Sequence, residues 1–393
     1  MPISTLLTPN QSEFRPAAYS LAKDMAGGGP TTVRAGTATT RQNGLVVDVG
    51  ANLPRYWEGG LLVEPPATSF VRASETFSGS GWNTTTFASV AADAGTVDPR
   101  GAAGALKFTE SVGAGNHQAF IIMGASHTQH SVFAKAGTRS WIFISGTAGT
   151  QVFYDLANGV VGSMNGGSVG SMEPWGNGWY RCLYYQAGGD SSVFIAGLAP
   201  SDLGAVTSYV GDGASYAYMF GAMASDGNQI WTSYVKTVGA DATRALDVCS
   251  TPTTGWPTSK GEISFDFIPH WTVLSGVPNP GLTYRFLFDA FSGVAGINLN
   301  FITTGGDMQC NVGAGSAFPP TGTWNMGQTY RVRVVWNGAL VTIYKDGVVL
   351  ATSNSANNNF SAWQASCYLG CNDGASFGLN GTLANFKVYK PPI

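Results

Sequence analysis

Thr342-Ile343-Tyr344-Lys345-Asp346-Gly347-Val348-Val349 is the most legible stretch of the chain. Two β-forming runs flank an Asp-Gly pair, the residues a two-residue hairpin turn asks for, because both of its central positions need positive φ. Working outward, the runs Glu262 to Ile268, Tyr284 to Asp289, Gly296 to Thr303, Thr329 to Trp336, Leu340 to Lys345, Gly347 to Thr352, Ser366 to Gly370 and Thr382 to Tyr389 are apolar or alternating over strand length. Gly, Asn and Asp separate them. Residues 248–393 therefore read as a β-sandwich.

The same alternation runs upstream. Ser131 to Lys135, Ser140 to Ser145, Val152 to Leu156, Trp179 to Tyr185, Ser192 to Ala196 and Ser215 to Ala222 read as strands of an antiparallel sandwich or jelly roll spanning 69–247. Residues 1–68 read as an N-terminal arm with short strands, Gly44 to Val49 and Gly60 to Glu64, and one helix-compatible stretch, Ala17 to Met25. The prolines and the run Gly27-Gly28-Gly29-Pro30 leave two readings of its start: a flexible tail, or an extended segment docked on a neighbour.

Composition agrees with an all-β chain. The 393 residues exceed what one hydrophobic core usually organises. Only 11% are charged while 53 are glycine, so the outer faces of helices lack their usual Glu, Lys and Arg. The net charge of −3, without a basic tract, argues against nucleic acid as a partner. No apolar run reaches the roughly 18 residues that cross a bilayer, which argues against membrane insertion. The start Met1-Pro2-Ile3-Ser4 shows no signal peptide, so synthesis in a cytosol is expected. Cys182, Cys249, Cys310, Cys367 and Cys371 form no metal-ligand spacing and read as buried free thiols.

Several motifs resemble a phage head-spike fibre family. Val33-Arg34-Ala35-Gly36, Ala51-Asn52-Leu53-Pro54-Arg55, Gly60-Leu61-Leu62-Val63-Glu64 and Ser74-Glu75-Thr76-Phe77 come first. Phe133-Ala134-Lys135-Ala136-Gly137, Gly176-Asn177-Gly178-Trp179-Tyr180-Arg181, Ser233-Tyr234-Val235 and Thr243-Arg244-Ala245-Leu246-Asp247 follow in order. From Gly261 the chain looks like a concanavalin A-like or laminin G-like sandwich, on Tyr344-Lys345-Asp346-Gly347 and Leu379 to Tyr389. The resemblance implies a carbohydrate-binding-module-like jelly roll and a bacteriophage virion protein, displayed as a capsid decoration or head spike and touching host glycans. A tail fibre or receptor-binding protein is the alternative; a polysaccharide depolymerase is a third. It further implies that the arm, through Phe14, Arg15, Tyr19 and Arg34, meets the major capsid protein or other virion proteins on the virion surface; a homo-trimer is one reading of the assembly, left open because no coiled-coil heptad is present.

The chemistry-bearing residues favour binding over catalysis. Glycoside cleavage needs two carboxylates about 5 to 10 Å apart. Glu262-Ile263-Ser264-Phe265-Asp266 puts residues 262, 264 and 266 on one strand face, but Ser264 and Phe267 stand where a glucanase strand carries acids, so a solvent-facing polar stripe is expected. His127 and His130 lack a third ligand at metal spacing, and no nucleophilic serine motif is present, so no metal and no cofactor are expected. Asp226, Asn372 and Asp373 sit in loops that in laminin G-like domains hold Ca²⁺. Sugars stack on aromatic rings and hydrogen-bond planar polar groups. Trp141, Trp179 and Trp336 lie in strands and read as core, whereas Trp82, Trp175, Trp271, Trp324 and Trp363 lie near turn residues. The glycan-binding candidates are Trp363 with Asn372 and Asp373, then Trp271 and Trp324.

Overall fold

The computed structural model describes residues 18–20, 30–57, 59–146, 149–186, 191–204, 207–226, 231–270, 285–301, 308–317, 324–374 and 378–389. The hairpin forms as expected. Lys345 pairs with Val348 across Asp346 (φ 52°) and Gly347 (φ 82°), the left-handed pair that the tight turn requires. The described chain is all-β, its single helical element being the 3₁₀ turn Ala356–Asn358.

Two sandwiches result. In the first, a six-stranded sheet runs Ser168–Gly176, Trp179–Gln186, Gln129–Ala136, Tyr216–Ser225, Ala103–Glu110, Phe87–Val97. It faces a second, ordered Val160–Met164, Gln151–Asp155, Trp141–Ser145, Ser191–Ala199, Gln118–His127, Trp82–Asn83. Phe108, Ile121, Val132, Ile142, Tyr154 and Phe194 fill the space between them. Phe87–Val97, Ala103–Glu110 and Gln118–His127 are strands that the sequence reading passed over, because Ala, Gly and Ser dilute their alternation.

The second sandwich redraws the expected boundary at residue 68. Its eight-stranded sheet runs Val348–Asn354, Leu340–Lys345, Tyr330–Asn337, Lys260–Pro269, Gly381–Tyr389, Gly60–Val63, Arg55–Trp57, and Ala18–Ser20 also pairs with Gly381–Tyr389. Its seven-stranded sheet begins with Thr31–Val33 and continues Val248–Pro252, Ser366–Leu369, Arg285–Ser292, Ala295–Phe301, Met308–Val312, Gly315–Ala317. Four N-terminal strands thus complete the C-terminal sandwich, and the first sandwich is inserted between them and the rest. The helix-compatible stretch from Ala17 is strand over Ala18–Ser20, where backbone pairing with Lys387 to Tyr389 overrides local propensity.

A buried ionic hub ties together the chain segments that run between the two sandwiches, and the resemblance-bearing motifs converge on it. Arg34 pairs with Asp247 at 2.8 Å, Arg55 with Glu64 at 2.6 Å and also with Asp247, and Arg244 with Glu64 at 3.0 Å. Ser233 donates to Glu64 from both its amide and its hydroxyl, each at 2.6 Å. Burial alone would raise the pKa of Glu64; the Arg244 and Arg55 cations and the Ser233 hydrogen bonds outweigh it and hold the carboxyl far below its usual range. Arg34 was expected to reach a virion partner. Instead it is 1% exposed and tied to Asp247 and the carbonyls of Gly50 and Leu53.

Nearby, the hairpin Ala38–Gln42 and Leu45–Val49 docks on the first sandwich through glycine. A Cβ on Gly44 would lie 2.8 Å from the Trp175 carbonyl oxygen, so only glycine permits that approach.

Candidate functional site

The strands Ala295–Phe301 and Met308–Val312 alternate, and the alternation builds the site; Arg285–Ser292 shifts register between Phe286 and Phe288, puts both Leu287 and Phe288 in the core, and falls into step with them at Asp289. Ile297, Leu299, Phe301, Met308, Cys310 and Val312 point into the sandwich core, each at most 1% exposed. The residues between them, Asn298, Asn300, Gln309 and Asn311, therefore stand on the outward face. Register then lines polar residues up. Thr31 stands opposite Ser250, Ser250 opposite Tyr368, Tyr368 opposite Asp289, Asp289 opposite Asn298, and Asn298 opposite Asn311. Six strands each contribute one polar side chain to a row about 24 Å long.

The row is most buried at its middle. Asp289 is 4% and Asn298 5% exposed, while Tyr368 and Asn311 on either side are half-buried and Thr31 is exposed. Asn311 donates its Nδ2 to Asn298 Oδ1 at 3.0 Å. Asp289 accepts from the backbone amides of Phe291 at 3.2 Å and Asp373 at 3.3 Å. Burial, with Asp373 adding like-charge repulsion, pushes the Asp289 carboxyl up to about 6 despite those hydrogen bonds. Among the described residues the outward register of these strands carries no Lys, Arg or His; Arg285 stands opposite Phe301 on the inward register and donates to the carbonyls of Gly378 and Leu379. Beside the row, Asn300 is 1% exposed and its Oδ1 has no hydrogen-bond partner.

Of the sequence candidates, Asn372 and Asp373 fall on the loop beside Asp289, and the Asp373 amide touches it. The tryptophans do not join them. Trp324 is 1% exposed, wedged among Phe267, Phe301 and Tyr330, so it offers no face to a sugar. Trp363 is half-buried, packs on Trp256, Trp336 and Phe360, and donates its indole N–H to the Pro257 carbonyl at 3.0 Å. Trp175 is buried, and Trp82 is tied to the Arg72 carbonyl. Trp82 and Trp175 lie in the strands Trp82–Asn83 and Ser168–Gly176 rather than in loops, and all four rings pack on cores, since burying a ring gains more than exposing it. Trp271, Phe14 and Arg15 lie outside the described residues; the Tyr19 backbone pairs with Val388.

Asp289 is not among the sequence candidates; the signal for this face is the alternation Ile-Asn-Leu-Asn-Phe at 297–301.

The acidic pair Glu262 and Asp266 and the histidine His127 are engaged, while His130 is buried against the rings of Tyr184 and Phe194. Glu262 and Asp266 do face outward, but at 7% and 9% exposure they form no solvent-facing stripe. Arg333 clamps Glu262 with two bonds of 2.8 Å, and Arg331 clamps Asp266 at 2.6 and 3.1 Å. His127 bonds Asp226 at 2.9 Å in the first sandwich, far in topology from Asn372 and Asp373. All five cysteines are buried free thiols.

No family model matches the sequence, and no curated protein matches it. Among solved structures, the botulinum neurotoxin serotype C1 binding domain is 12% identical with a TM-score of 0.28, covering 37% of this chain and 37% of its own. The chain thus spans about a third of that protein's length. A Bacteroides ovatus protein whose proposed role is carbohydrate binding is 13% identical, TM-score 0.27, covering 70% and 75%. Domains LG4-5 of the mouse laminin α1 chain are 10% identical, TM-score 0.24, covering 85% and 91%. At these values none of the three bears on what the chain does.

Proposed function

We propose that this chain is a non-catalytic glycan-binding protein displayed on the outside of a bacteriophage particle. The observation that carries the binding part is the polar row centred on Asp289. Hydroxyl-rich ligands are held by planar amides and carboxylates, and this row supplies both, with no cation on its outward register among the described residues. The non-catalytic part is supported by Glu262 and Asp266. Arg333 occupies both oxygens of Glu262, and at Asp266 the hydrogen bonds from Arg331 and Asn385 outweigh burial and hold the carboxyl below its usual range, which makes it a poor general acid.

The virion part rests on the motif series from Arg34 to Asp247. Capsid decoration or head spike is the reading kept, with a tail fibre as its rival. The test has two arms. Purified chain on a glycan array binds at least one glycan class, and an antibody against the chain labels intact particles on the head. An array without signal removes the binding reading, and labelling confined to the tail moves the protein to the fibre reading.

A further inference from the structure

We propose that the outward face of the seven-stranded sheet takes a neutral, hydroxyl-rich glycan, laid across the strands with its hydroxyls donating to Asp289 and the amide row. This inference rests on the glycan-binding reading and names the site and ligand class within it.

Three observations select that class. First, acceptors dominate the middle of the row. Asp289 offers a carboxylate, and Asn300 beside it keeps a buried Oδ1 without a partner. A buried acceptor left unmade costs free energy, and a donating hydroxyl relieves it. Second, the charge is wrong for acidic sugars. Asp289 and the exposed Asp373 share the site, and among the described residues no cation stands on the outward register of the strands. A carboxylated or sulfated sugar would meet repulsion in a partly dry site, where charges interact more strongly than in water. Third, direction follows from register. The polar residues repeat from strand to strand at the same level, whereas along each strand they alternate with core residues. A single strand offers at most two of them, as Asn298 with Asn300 or Gln309 with Asn311, so a ligand that meets the whole row runs across the strands.

Aromatic stacking contributes little here. Among the described residues no Trp, Tyr or Phe is fully exposed, and Tyr368 is the half-buried ring within the row.

The test uses the full chain against neutral hexose and N-acetylhexosamine oligosaccharides, with sialylated and uronate-containing ones in parallel. Binding to the neutral set is expected, and Asp289→Asn weakens it about tenfold or more, as befits loss of a charged acceptor. Asn311→Ala, at the half-buried end of the row, weakens it severalfold and carries the test if Asp289→Asn fails to fold. Glu262→Gln on the opposite sheet leaves affinity unchanged. If the chain binds glycans but Asp289→Asn and Asn311→Ala bind as well as the parent, the site assignment falls while glycan binding stands. A preference for sialylated or uronate glycans overturns the ligand class. Absence of binding to every glycan removes both readings together.

Discussion

Glu64 and Asp289 are both nearly dry carboxylates, at 1% and 4% exposure, yet the chain treats them in opposite ways. Glu64 lies between Arg55 and Arg244 and is held ionised. Asp289 faces amides, a tyrosine and another aspartate, and its carboxyl is pushed up to about 6. Burial is the same pressure in each case, and the neighbours decide its outcome. A neutralised acid is architecture. An unneutralised one retains capacity for a ligand, at some expense to stability. That difference separates what ties the segments between the two sandwiches together from what the second one presents outward.

The largest expected effect comes from breaking the hub. Asp247→Ala strips the partner from Arg34 and from part of Arg55, leaving buried cations uncompensated, and should cost about 3–5 kcal/mol. Urea denaturation read by tryptophan fluorescence checks it. A loss under about 1 kcal/mol would mean that the hub is not what ties the connecting segments together. The acid limb follows the same logic. The folded pKa of Glu64 lies below its unfolded value, so its contribution is present above about pH 4.3 and is lost as pH falls toward the folded value. Melting temperatures between pH 5 and pH 3 should fall for the parent and fall less for Glu64→Gln, which begins lower.

Asp289 has the opposite sign and a smaller size. Its folded pKa of about 6 lies above the unfolded value of about 3.9, so ionising it disfavours the native state, and stability declines as pH rises from about 4 to about 6. Relative to the parent, Asp289→Asn should therefore gain about 2 kcal/mol at pH 8 compared with pH 4. Taking the difference between the two pH values removes whatever the amide changes equally at both. A flat difference would show that the Asp289 surroundings do neutralise it, and the contrast with Glu64 would collapse.

Much of this architecture was legible in the sequence. The Asp346-Gly347 hairpin and the strands around Glu262, Tyr330 and Gly381 declare themselves through turn chemistry and period-two alternation. What stayed hidden was non-local. Thr31–Val33 and Gly60–Val63 read as arm segments because their partners, Val248–Pro252 and Gly381–Tyr389, lie some 200 to 300 residues away, and no local pattern records that pairing. Arg34 read as an anchor for the same reason: Asp247, which buries it, is 213 residues distant. The site was half legible. Asn372 and Asp373 were found as loop polars, but Asp289 sits in Phe-Leu-Phe-Asp-Ala-Phe, where it looks like an interruption of a core strand until register sets it opposite Asn298.

The smallest effect is expected at Glu262. It has the low exposure of Asp289 and, like Glu64, an arginine of its own, Arg333, so it tests which of the two features matters. Glutamine keeps the volume and one acceptor oxygen. Arg333, whose side chain is 27% exposed, still reaches water and still lies 4.9 Å from the Tyr344 ring. Glu262→Gln should therefore cost less than about 1 kcal/mol, as partly exposed ion pairs do. Incubated with polysaccharide, parent and variant alike should release no new reducing ends. Cleavage by the parent that Glu262→Gln abolished would make this clamped acid a catalytic one, and partner charge would then be no guide to which carboxylates on this protein act.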